Sequence, residues 1–488
     1  MKWINLKITT IALLAAALLG MPAIPVSAYA PYESYNYNYW EEPVPSPAAY
    51  LPDDVLSGRS LGIGDFKEPG DMYVDSSGGV YVLDSGNNRL VILDHTGEVS
   101  RVISSFANDG AEDRFNKPEG LYVTDDGSIY VADTENKRIV VLSPQGELQQ
   151  IIRDPESDLF ASNFTFYPTK LAVDKADRVY VVARGVYEGI VQFDDQGGFI
   201  GYIGTIKVNP SAADYIWKLI STQAQREQMA LFVPTEFSNL DIDSQGFLYA
   251  TNIDVDSKEP IKRLSPSGHD VLKRYGYFDV KGDINFFRLA GAGIESGPSK
   301  IVDVKIREGG KFSMIDSLRG RVFTYDAEGN LLYIFGGKGS QVGTFKSVAA
   351  IEEWKDRLLV LDRGTGRITI FRPTEFGAKV NQAVAFHAAG EEQQAVAVWK
   401  EVLRLNSNYD TAYIGIGKAL LVNRQNKEAM NFFKLGMDHQ YYSVAFKRYR
   451  KEVMQGSFST VMTIALALAV AGIGWSIYRK RKSRGIQA

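Results

Sequence analysis

Two aspartate-centred groups recur in the first third of the chain: Asp84 with Asn88 and Arg89, and Asp133 with Asn136 and Arg138. An aspartate beside an arginine could move protons. These groups recur at matching places in successive segments, which a single active centre does not require. They are therefore expected to be structural, the aspartate capping a tight hairpin and the arginine pairing across a boundary. Asp316 and Asp362 stand at similar places further on. Metal chemistry is short of ligands. The chain has no cysteine, which removes disulfides, thiolate sites and thiol nucleophiles together. His95 and His269 sit in turn sequences, and His387 and His439 lie in a later segment of different character. A histidine zinc centre needs about three converging ligands. No glycine-rich phosphate loop or nucleophile elbow stands in a strand–helix context.

The elements that carry these residues form a repeat. One copy starts at Phe66 and another at Phe115. In the second, Gly120–Val123, Ile129–Ala132, Arg138–Leu142 and Leu148–Ile152 read as short strands between turn sequences. Weaker copies follow around Phe166, Phe232, Pro298 and Phe345. The second strands of the six copies are expected to end at Asp84, Asp133, Arg184, Asn252, Asp316 and Asp362. Six such units cannot bury their faces singly, but a radial arrangement shares the core and protects the edges. The sixth unit lacks a fourth strand. Arg59–Phe66 resembles the fourth strand at Tyr333–Gly337, so the N-terminal segment is expected to complete the last blade.

The Phe-x-x-Pro openings, the stretch Tyr130–Arg138 and the matching Asp84–Arg89 resemble NHL-repeat propellers. The resemblance implies a mainly β fold, a six-bladed propeller over residues 57–373. It leaves function open, because such propellers include binders and enzymes. Some similar propellers are zinc lyases. Others, of the gluconolactonase and regucalcin type, are calcium-dependent lactonases that gather Glu, Asn and Asp around the ion. Glu119, Asn239, Asn252 and Asp303 are the residues here that such a site would use, and their spacing matches that family poorly. No cofactor is expected, calcium being the alternative.

Other segments flank the repeat. Residues 1–28 read as a signal peptide. Residues 29–56, rich in Tyr and Pro, read as a flexible linker. Residues 377–453 change to a helical pattern in which Ala395 and Ala429 stand one tetratricopeptide period apart, a small TPR-like unit. Residues 457–478 are apolar and long enough to cross a hydrocarbon core as a transmembrane helix. Residues 479–488 form a basic tail that marks the cytoplasmic side. Lys447, Arg448, Arg450 and Lys451 lie on the other flank. With a signal peptide the propeller and helical unit are placed outside. The net charge of −4 argues against nucleic acid.

Two insertions stretch blade connectors, at residues 202–231 and 272–297. Connectors share a face with the second-to-third hairpins, here called the top face. Trp217, Tyr277, Phe278, Phe286 and Phe287 are expected to wall the mouth there, with Arg184, Tyr187, Asn252 and Arg319 beneath as polar contacts. The function expected is a membrane-anchored binding scaffold presenting its top face to a protein or carbohydrate, with a link to an envelope transport system. A lactonase-like hydrolase or a lyase is the alternative.

Overall fold

In the computed structural model the described residues are 30–155, 164–204, 236–253, 259–285 and 296–484. Residues 1–28, most of the first insertion with Trp217, and Phe286 and Phe287 lie outside them.

Alternating apolar residues, broken every few positions by Asp/Gly turns, fold as antiparallel sheets with one residue face toward each neighbouring sheet. In blade 2 the strands are Gly120–Val123, Ile129–Asp133, Arg138–Leu142 and Leu148–Ile152. Blades 1, 3 and 5 have the same four-stranded order, and blade 4 has three strands, Phe237–Ile242, Leu248–Asn252 and Ile261–Leu264. The outer edge of blade 4 is capped instead. Asp270 accepts from the Arg263 amide, and the Arg274 guanidinium donates to the Ile261 carbonyl. The innermost strands neighbour one another around a closed ring, six blades in all. Each blade boundary holds its own apolar cluster, such as Leu90, Phe115 and Val131 between blades 1 and 2.

Ring closure uses the chain's N-terminal side, through a different segment from the one expected. Tyr50–Ser57, not Arg59–Phe66, pairs antiparallel with Arg367–Pro373 of blade 6. Pro52 is tolerated because this is an outermost strand. The described part of the expected linker, residues 30–56, therefore carries strands that pack on the ring and is not a flexible link. Before the closing strand, Tyr35–Tyr37 and Pro43–Pro45 form a two-stranded sheet. Tyr35 and Tyr37 are buried and both donate to Asp283, which also faces Arg319 and Arg321.

After the ring come five helices: α1 (Glu375–Ala388), α2 (Glu392–Leu405), α3 (Asp410–Val422), α4 (Asn426–Leu435) and α5 (His439–Arg484). Thr374 caps α1 by accepting from the Gly377 amide. Ala395 of α2 and Ala429 of α4 are both fully buried. The helical region shares a core with blades 5 and 6, where Trp399, Tyr409 and Phe433 join Tyr333, Phe335 and Phe371. α5 is continuous through the segment expected to be a separate transmembrane helix. It is long and apolar enough to cross a membrane, and its apolar stretch, with Phe458, Leu466 and Trp475, is exposed throughout.

Candidate functional site

The hairpin aspartates lie on the top face, where each ties its blade to its own lead segment. Asp133 accepts from the Asn116 amide at 2.7 Å, from Asn136 Nδ2 at 2.9 Å and from Arg138 Nε at 2.8 Å. Asp84 accepts equivalently from Lys67, Asn87 and Arg89. The asparagine of this group is thus Asn87, not Asn88. Asn88 takes the left-handed position (φ 54°) and its side-chain Oδ1 accepts from the Lys117 amide of the next blade. Asp316 accepts from the Lys300 and Leu318 amides, and Asp362 from Ser347 and Gly364. In blade 3 the second strand ends at Ala183, so Arg184 belongs to the turn and is not the aspartate's equivalent.

The axial channel holds two polar tiers, built from the same strand positions in successive blades. The upper position is Asp71, Gly120, Lys170, Asn239, Asp303 and Ala350, each set by the pairing register of its blade. Lys170 Nζ lies 2.8 Å from Asp71 Oδ1, and Asn239 Nδ2 donates to Asp303. The Ile351 amide donates to the other Asp303 oxygen at 2.6 Å. Two residues further along each strand is the lower position: Tyr73, Tyr122, Ala172, Asp241, Lys305 and Glu352. Lys305 Nζ sits 2.8 Å from Glu352 and 3.9 Å from Asp241, over the Tyr73 ring. Burial pushes the carboxyls of Asp303 and Glu352 up to about 8. Burial works to lower Lys305, but Asp241 and Glu352 outweigh it and hold the ammonium well above its ordinary range.

These residues went unnoticed in the sequence except for Asn239 and Asp303. The signal is there: charged residues at alternate positions of strands that must be innermost.

The expected ligand residues do not converge. Arg184 and Tyr187 stand exposed at the top-face rim of blade 3. Arg184 reaches Glu119 at 3.2 Å and Glu135 at 3.6 Å, and lies over the Tyr167 ring. Glu236 accepts from the Gly185 amide at 2.8 Å, and its carboxylate raises the nearby Tyr187 phenol. Asn252 is buried, donating to the Glu259 carbonyl. Arg319 is buried between Asp316 and Asp283, at 3.2 and 3.4 Å. Tyr277 and Phe278 are not at the mouth. The chain leaving blade 4 runs along the opposite face, where the Tyr275 amide donates to the Glu328 carbonyl in the outer turn of blade 5. There Tyr277 packs on Tyr39 and Phe278 on Tyr37, beside Tyr409 at the head of α3. Of the oxygen ligands weighed for calcium, Asn239 and Asp303 bond each other, Glu119 pairs with Arg184, and Asn252 lies apart. Among the described residues no group of three or more His, Asp and Glu is placed to hold a metal.

Fold and repeat chemistry together define a six-bladed propeller carrying NHL repeats. The NHL repeat family matches residues 66–93 and 115–142, the two best copies. Solved structures similar in fold include virginiamycin B lyase from Staphylococcus aureus, at 10% identity over 65% of this chain and 98% of that one, with a TM-score of 0.40. A protein of unknown function from Bacteroides thetaiotaomicron is similar at 13% identity over 63% and 70% of the two chains, with a TM-score of 0.41. No curated protein matches the sequence.

Proposed function

We propose that this chain is a membrane-anchored, extracytoplasmic binding scaffold whose top-face rim, around blades 2 to 4, takes a protein or carbohydrate partner. The channel carries the reading. Its polar side chains are committed to one another, so a small substrate entering the axis would have to break buried ion pairs and hydrogen bonds. Exposed groups stand instead on the rim, where Arg184, Tyr187 and Glu135, with the half-buried Glu236 beside them, offer charge and an aromatic edge. The helical region, read as TPR-like, joins the propeller to α5, read as the single span, with the basic tail after Tyr478 cytoplasmic. A link to an envelope transport system belongs to the same reading.

A photo-crosslinking residue at Tyr187 tests the partner face, with one at His95 on the opposite face as control. Adducts from position 187 alone are expected. Equal adducts from both, or none from 187, contradict the reading. The lactonase-like alternative is tested by thermal melting in chelator and in excess calcium. Superimposable curves are expected, because a tightly bound ion would raise Tm by mass action.

A further inference from the structure

The basic cluster before the apolar stretch of α5 departs from the positive-inside pattern and has no role in the scaffold reading. Helix geometry shows where it points. Ala445 is fully buried, the Arg448 guanidinium donates to the Leu421 carbonyl, and Glu452 accepts from Asn426 Nδ2. Those residues turn one side of α5 onto α3 and α4. At about 100° per residue, Lys447, Arg450 and Lys451 then fall together on the free side. They share it with Val444, Met454 and Phe458, all exposed. Among the described residues no carboxylate forms an ion pair with any of the three cations.

The axial placement is as specific. Lys451 precedes Phe458 by seven residues, a rise of about 10 Å, and Lys447 lies about 16 Å above it. With Phe458 at the edge of the hydrocarbon, Lys451 stands at the headgroup layer. Its stem is long enough to bring the ammonium down to the phosphates. Met454 and Phe458 fill the spaces between the charges, the composition of a helix side that meets a lipid interface.

We infer that Lys447, Arg450 and Lys451 bind the phosphate headgroups of anionic phospholipids in the leaflet next to the propeller. The inference rests on the membrane-anchored reading of α5. Paired with these lipids, the cations no longer oppose the orientation set by the tail.

The natural absence of cysteine gives a clean test. The full chain, carrying a donor dye on Ser457→Cys, is reconstituted in phosphatidylcholine vesicles containing phosphatidylglycerol. Energy transfer is measured to headgroup-labelled tracers of either lipid at equal mole fraction. Local enrichment of phosphatidylglycerol over phosphatidylcholine on the order of fivefold is expected. It should disappear in the K447Q/R450Q/K451Q variant, whose propeller should melt as the parent does, and fade at high salt. Equal transfer to both tracers, or enrichment unchanged in the triple variant, overturns the inference. Flotation separates the two claims: a chain that fails to float with the vesicles overturns the membrane reading itself.

Discussion

Lys170 joins blades across the axis of the ring. Its ammonium meets Asp71 of blade 1 and also donates to the Gly70 carbonyl. Both side chains are nearly buried, so removing one charge strands the other. Lys170→Met should cost about 3–5 kcal/mol in denaturant melts. Adding Asp71→Asn should return most of it. A double variant as unstable as the single one would mean that the pair does not act as a unit. Lys311 is the opposite case, a buried cation whose ammonium donates to the Glu308 backbone carbonyl. Burial, with Arg307 adding repulsion, brings its ammonium down to about 8, against an unfolded value near ~10.4. Between those values the unfolded chain binds more protons, so this residue makes stability rise with pH from about 8 to ~10.4. Lys311→Met should flatten that rise and gain up to about 3 kcal/mol at neutral pH. A methionine variant no more stable than the parent would contradict the assignment.

Among the elements, the ones visible in the sequence are those whose turns demand particular residues. The aspartate at the end of Ile129–Asp133 and the arginine opening Arg138–Leu142 pair directly across the hairpin, so chemistry and register mark the same place. The closing strand is harder to read. Tyr50–Ser57 contains Pro52, two acidic residues and no clear alternation, because an outermost strand has only one neighbour to satisfy. Its site is fixed by tertiary contacts instead. Tyr50 is fully buried, receiving hydrogen bonds at its hydroxyl from Arg307 and Asn381. Truncation at residue 58 should therefore leave blade 6 with an open edge and yield aggregating protein, whereas truncation at residue 30 should not. Equal solubility of the two would contradict closure by this strand. The junction with α1 is equally tight: a Cβ on Gly377 would stand 2.0 Å from the Ala49 carbonyl oxygen. Gly377→Ala should lower stability by about 2 kcal/mol through that clash, read from the same melts.

For the whole molecule, periodicity reveals the ring and hides what fills it. Channel residues such as Lys305 and Glu352 look like ordinary strand polarity until the register of all six inner strands is known. The aromatics at Tyr277 and Phe278 mislead for a related reason. Their place follows from blade 4 lacking a regular fourth strand, which sends the chain along the opposite face. The scaffold reading makes one decisive claim, that α5 separates an outward propeller from an inward tail. Single cysteines at Gln196, exposed in a blade 3 turn, and at Ser483 in the tail test it in a chain with no native cysteine. In intact cells a membrane-impermeant maleimide should label Gln196→Cys fully and reach Ser483→Cys only after the membrane is opened. Labelling of both before lysis, or protection of Gln196→Cys, would contradict the account.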